Sequence, residues 1–149
     1  MVTTILGSCV AVCLWDSHLR LGGMNHYLQP RRANDAHSPR FGDVAIDQLL
    51  EGMIRLGCRL ASLRAKIFGG AAVLPFGASA ETVGDQNVRM ALARLRDHAI
   101  PLLARRTGGR TGMLIKLYTE TGEVLGRRLA DTHVAEVHGM WEPGAPFRD

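Results

Sequence analysis

Two side chains stand out for what they could do together, the thiol of Cys9 and the imidazole of His26. Cys9 lies in Leu6-Gly7-Ser8-Cys9-Val10-Ala11-Val12-Cys13 and His26 in Gly22-Gly23-Met24-Asn25-His26-Tyr27. A thiol whose proton an imidazole can take is the minimal unit of a cysteine hydrolase. The same imidazole can then hand the proton to a departing group. The Gly7-Ser8 step before Cys9 allows a sharp backbone turn, whose N–H groups can face a developing oxyanion and whose small residues let a substrate approach closely. A third group normally orients the imidazole. The nearest carboxylate in the expected local structure, Asp16, sits at the wrong end, which leaves the hydroxyls of Thr3 and Thr4 on the preceding segment. A neutral hydroxyl stabilises an imidazolium less than a carboxylate does, so such a site is expected to be slow but selective.

The pair is useful only if the chain brings it together. Val10, Val12 and Leu14 alternate with Cys9, Ala11, Cys13 and Trp15, the period-two pattern of a strand. Asp16-Ser17-His18 reads as a turn, and Leu19 to Leu28 is apolar again. With a two-residue Ser17-His18 loop, facing residues have numbers summing to 35, and Cys9 lies opposite His26 with Cβ atoms roughly 4.5–5.5 Å apart. A slip of one residue would send His26 to the other face. Around this hairpin the pattern predicts a strand at Val2–Leu6 and a polar loop over 29–41. A helix follows, capped by Asp43 and closed by Gly57, with Ile46, Leu49, Leu50, Met53 and Leu56 on one face. Then come a buried strand at Leu63–Phe68, a loop over 71–84 and a helix over 85–98. A short strand over 100–104 and a hairpin of Met113–Thr119 with Glu123–Leu129 complete the pattern. Residues 130–149 read as an irregular tail of a single domain spanning 1–149. Strands outnumber helices, so the class is α+β.

The 149 residues suit one domain with its own core. Composition is 46% hydrophobic and 21% charged, and no apolar run approaches the ~18 residues of a membrane helix. With no secretory signal evident, the expectation is a cytoplasmic protein without direct membrane insertion. The net charge of +4 comes from arginines scattered along the chain, which reads as a solvated surface and not a nucleic-acid interface. Three cysteines are too few and too dispersed for a disulfide framework. Cys13 and Cys58 read as packing residues. Cys9, Cys13 and His26 lack a fourth ligand for zinc, so no metal is expected. Gly69-Gly70 reads as turn chemistry.

Taken in order, several blocks resemble the CheD family of chemoreceptor glutamine deamidases. They are Leu6 to Cys13, Gly22 to Pro30, Arg40-Phe41-Gly42-Asp43-Val44-Ala45-Ile46, Ala65 to Ala71, Val83-Gly84-Asp85-Gln86-Asn87-Val88, and Thr107-Gly108-Gly109. Six ordered blocks are a far more specific signal than one short motif. The resemblance implies hydrolysis of selected glutamine side chains on the cytoplasmic helices of methyl-accepting chemoreceptors, giving glutamate and ammonia through a cysteine thioester. It places the nucleophile on Cys9, the base on His26 and the histidine-orienting threonine on Thr3, beside the backbone support that the Gly7-Ser8 turn itself suggests. It implies no cofactor and no metal, a CheC-type phosphatase as a further partner, a monomer, and an α/β sandwich similar to the catalytic domain of cytotoxic necrotizing factor toxins. The family commonly has Gly-Arg where Gly112-Met113 stands and an acidic residue near Arg105-Arg106. These differences bear on partner contacts more than on chemistry.

The rival reading is a non-catalytic module that regulates a CheC-like phosphatase and has no need of the Cys9–His26 pair. An amidohydrolase for small amides or a transglutaminase is a third. An activated Cys9 predicts alkylation well below pH ~8.5, the ordinary thiol pKa, and a regulatory module predicts slower labelling.

Overall fold

The computed structural model describes residues 1–31, 38–73 and 81–129, so the expected tail over 130–149 and parts of both expected loops lie outside the described residues. In chain order the elements are β1 (Val2–Leu6), β2 (Val10–Asp16), β3 (Leu21–Met24), α1 (Gly42–Arg55), a 3-10 turn (Leu60–Ser62), β4 (Leu63–Gly69), α2 (Val83–Asp97), β5 (Leu102–Thr107), β6 (Met113–Leu117) and β7 (Val124–Arg128). They build two sheets, β1-β6-β7 and β3-β2-β4-β5. The α+β class expected from the sequence is the one observed.

Three layers follow from the side-chain alternation of β2. Val10, Val12 and Leu14 turn to one side, where they join Ile46, Leu50 and Met53 of α1 and Ala91 and Leu95 of α2. Ala11 and Cys13 turn to the other side, where they meet Leu6, Met113, Ile115 and Leu117 of the smaller sheet. Every residue from Val10 to Leu14 is buried. A strand covered on both faces reads as a continuous apolar run, which is what this segment shows. Cys9, one residue before β2, packs partly into the layer between the sheets.

The hairpin differs from the two-residue expectation. Asp16 pairs with Leu21 and Cys13 with Met24, so the loop is the four residues Ser17 to Arg20 and facing numbers sum to 37. The reason lies in Asp16, whose Oδ1 accepts the N–H groups of His18 (2.9 Å) and Leu19 (3.2 Å), while Arg20 takes a left-handed φ of 54°. These contacts favour the longer turn. The slip is two residues, and an even slip preserves the face.

Element ends moved for equally local reasons. Helix α1 begins at Gly42 with Phe41 as its cap, and Asp43 sits in the first turn, where a carboxylate complements the helix dipole. Helix α2 begins at Val83, earlier than expected, because Thr82 and Asp85 form a reciprocal capping box. Strand β5 starts late, after a turn through Ala99 at φ 53°. No helix among the described residues is long and apolar enough to cross a membrane.

Candidate active site

Cys9 is held by its backbone. The Gly7 carbonyl accepts from Ala71 N–H (2.8 Å), the Cys9 carbonyl from Gly70 N–H (2.8 Å), and the Ser8 carbonyl from Asn87 Nδ2 (3.0 Å). Three consecutive carbonyls are thus drawn into the protein. Gly69 explains how β4 comes so close. It adopts φ 102°, and a Cβ there would lie 2.2 Å from the Cys9 carbonyl oxygen, a contact only glycine permits. The Gly69-Gly70 pair read from the sequence as a turn is therefore also the seat of the Cys9 segment. Among the described residues no acceptor takes the Ser8 N–H, which suits an oxyanion donor.

His26 follows the end of β3. The ladder stops at Cys13↔Met24, and Asn25 replaces its next rung. Val12 N–H donates to Asn25 Oδ1 (2.9 Å), and Asn25 N–H donates to the Val12 carbonyl (3.1 Å). Pairing resumes when Val10 and Tyr27 exchange backbone bonds of 3.1 and 3.0 Å. By this register Cys9 and His26 are diagonal neighbours on one face, not directly opposed. Diagonal positions in a regular pair are roughly 7–8 Å apart, within reach of aromatic side chains. The even slip kept the pair on one side.

The imidazole is anchored from the other sheet. Thr4 Oγ1 lies 2.9 Å from His26 Nδ1. The contact falls on Thr4 and not on Thr3, the residue the resemblance implies. In β1, Thr4 pairs with Ile115 and shares the inward face with Leu6, whereas Thr3 pairs with Lys116 on the outward face and is exposed. Adjacent strand residues cannot serve the same face. The residues alone leave Thr3 and Thr4 open, and the resemblance implies Thr3.

The electrostatics describe a neutral resting pair. Burial pushes the Cys9 thiol above its ordinary value, with a smaller opposing pull from its own backbone N–H. Desolvation lowers His26, although part of its ring is exposed. A raised Cys9 thiol disfavours the early alkylation expected of an activated cysteine. In the tautomer that serves as base, Nδ1–H donates to Thr4 and Nε2 carries the free lone pair. Cys13 is buried and pushed up to about 12, which leaves it a packing residue, as expected.

Beside His26 lies an open depression of about 280 Å³ bordered by Met24, Asn25, Pro39, Gln48 and Leu49. A roomier one of about 470 Å³ surrounds Asp16, Arg59 and Arg64 at the far end of β2 and has neither Cys9 nor His26 in its walls. The smaller one has His26 in its wall but not Cys9. Among the described residues no group of three His, Cys, Asp or Glu side chains could hold a metal ion. The sequence reading passed over Asn87, a wholly buried amide bound to the Cys9 segment. Its signals in the sequence are its place in the Val83–Val88 block and a polar residue on the apolar side of a helix.

The profile of the family described as CheD, chemotactic sensory transduction, matches residues 27–128. A Rhodospirillum rubrum protein named "Probable chemoreceptor glutamine deamidase CheD" is 51% identical over 140 residues, 94% of this chain and 80% of that protein. An Anaeromyxobacter dehalogenans protein named "Probable chemoreceptor glutamine deamidase CheD 1" is 46% identical over 128 residues, 86% of this chain and 75% of its own length. A Trichlorobacter lovleyi protein, "Probable chemoreceptor glutamine deamidase CheD", is 42% identical over 125 residues, 83% of this chain and 78% of its own. The profile match begins one residue after His26, so the geometry of Cys9, Thr4 and His26 is an argument separate from it.

Proposed function

The chain belongs to the CheD family of chemotactic sensory transduction proteins, and from that premise we propose that it is a protein-glutamine deamidase acting on chemoreceptors. It hydrolyses the side-chain amides of selected glutamines on the receptor's cytoplasmic helices. Cys9 is the nucleophile, His26 the base and acid, and Thr4 the group that orients His26. The observation that supports this most is the Thr4–His26 hydrogen bond, which fixes one imidazole nitrogen and leaves the other for a thiol on the same face.

His26 takes the Cys9 proton as sulfur attacks the carboxamide carbon. The oxyanion that forms is met by the backbone N–H groups at Ser8 and Cys9. Protonated His26 gives its proton to the nitrogen, and ammonia leaves a thioester. His26 then deprotonates a water, which attacks the same carbon, releases glutamate and restores the thiol. Each turnover adds one negative charge to a helix surface, where like charges three or four residues apart repel by about 0.2–0.5 kcal/mol per pair.

The test is incubation with a purified receptor cytoplasmic fragment, following ammonia release and the mass gain of amide-to-acid conversion. Cys9→Ala and His26→Ala are expected to abolish both signals. Normal turnover by either variant rejects the assignment.

A further inference from the structure

Among the described residues, no backbone ladder joins the Cys9 segment to the segment carrying His26 beyond Val10 and Tyr27. Ser8 precedes the nucleophile, and Leu28 lies two residues after the histidine. Their carbonyls are bridged by one side chain, Asn87 of α2, whose Nδ2 donates to Ser8 O (3.0 Å) and to Leu28 O (3.0 Å). Both hydrogens of one amide nitrogen are thus used on the two strands of the site. Between them Tyr27, also wholly buried, donates its hydroxyl to the backbone carbonyl of Asn87 at 2.5 Å, which holds the helix turn that carries the amide.

Building on the deamidase reading, we propose that Asn87 is a positioning residue that sets the separation of Cys9 and His26 by clamping the segments that carry them. Its own anchor is rigid. Helix α2 is capped by Thr82 and Asp85, and Gly84 packs on Gly70 so closely that a Cβ at Gly84 would lie 2.4 Å from the Gly70 carbonyl oxygen. The clamp therefore refers both segments to the end of β4, which also holds the Cys9 carbonyl.

The chemistry of position 87 is narrow. Two carbonyls facing one point require a group with two donors. An aspartate of the same shape would turn a carboxylate on them, and a leucine would leave both unbonded. Asn87 Oδ1 has no partner among the described residues although it is buried. An orphaned acceptor is unfavourable, so an amide here is kept for what its nitrogen holds. Its contacts are at distance from the reacting atoms, so it acts through Cys9 and His26 and not on substrate.

The experiment compares wild type with Asn87→Leu and Tyr27→Phe, the milder variant that removes only the hydroxyl holding Asn87. Deamidation of the receptor fragment is resolved into kcat and KM, and Cys9 alkylation by iodoacetamide is followed across pH, with thermal melts as the check on folding. Asn87→Leu is expected to lower kcat by about 5- to 150-fold, the loss of two net hydrogen bonds, with KM unchanged. Tyr27→Phe is expected to lower it about 2- to 13-fold, the loss of one. Alkylation of Cys9, slow in wild type because the thiol is partly buried, is expected to speed up across the pH range in Asn87→Leu, where the Ser8 carbonyl is released and the Cys9 segment loosens. If Asn87→Leu fails to fold, Tyr27→Phe decides alone. A folded variant with wild-type kcat and the same alkylation profile overturns the clamp. If wild type shows no deamidation while the alkylation profiles still diverge, the deamidase reading falls and the clamp stands.

Discussion

Moving the histidine-orienting hydroxyl from Thr3 to Thr4 can be tested by isosteric substitution. Valine replaces the threonine hydroxyl with a methyl group and keeps the β-branched shape favoured in strands. Thr4→Val deprives His26 of a single interaction, the 2.9 Å bond to Nδ1. A net intramolecular hydrogen bond is worth about 0.5–1.5 kcal/mol, which converts to about a 2- to 13-fold fall in kcat/KM. Partial exposure of the bond favours the lower half of that range. Thr3→Val changes an exposed outward side chain opposite Lys116 and is expected to leave the rate alone. Thr4→Ser keeps the hydroxyl and is expected to restore most of the loss. The assay is initial-rate ammonia release from a receptor fragment, with melting curves to confirm that each variant is folded. A slow Thr3→Val beside an unimpaired Thr4→Val refutes the assignment, and with it the face argument for β1.

Other outcomes follow from the same geometry. Desolvation of His26 disfavours the imidazolium, so the neutral base persists below the ordinary histidine value of about 6.5. The acid limb of the kcat/KM profile is therefore expected below pH ~6.5, with activity retained as pH falls through that value; a limb above pH 7 contradicts the burial argument. His26→Ala is expected to cost at least about 10²–10⁴-fold in kcat, the range of a general acid–base group, measured by intact mass of the receptor fragment. Gly69→Ala places a Cβ against the Cys9 carbonyl at φ 102°. The left-handed backbone alone costs about 1–2 kcal/mol, or about 2–8 °C in melting temperature, and an unchanged melt would show that β4 does not seat the Cys9 loop as described.

Much of this arrangement was legible because β2 carries its own face code. The alternation of Val10, Val12 and Leu14 with Cys9, Ala11 and Cys13 separates the two faces of β2 and puts Cys9 on the side that meets the smaller sheet. The register was not legible. It depends on Asp16 accepting two loop amides, a choice between turn lengths that strand periodicity does not encode. The pairing on one face survived because the slip was even. Thr4 was hidden for a different reason. Which of two adjacent threonines faces inward is set by how β1 pairs with β6, and those strands are separated by most of the chain. Asn87 was hidden because its partners are backbone carbonyls, which carry no side-chain signature.

The neutral resting state and the way the site is held belong to one design logic. A preformed thiolate–imidazolium pair would be attracted together by its own charges. Here burial raises the Cys9 thiol and desolvation lowers His26, so both shifts favour the uncharged pair and Coulomb attraction is a weak aid to their approach. Geometry must do it instead. The backbone pins at Gly7, Ser8 and Cys9, the Asn25 rung and the Thr4 bond each fix one piece of that geometry through uncharged groups. Such bonds are weakly dependent on ionic strength, because screening acts on charges and not on amide–carbonyl contacts. The chemical step is accordingly expected to change little in kcat between low and high salt. Any salt dependence should appear in KM, where a protein carrying +4 meets its receptor. A kcat that falls steeply with salt while KM holds would mean that an ion pair forms before attack, and the neutral-pair account of Cys9 and His26 would have to be given up.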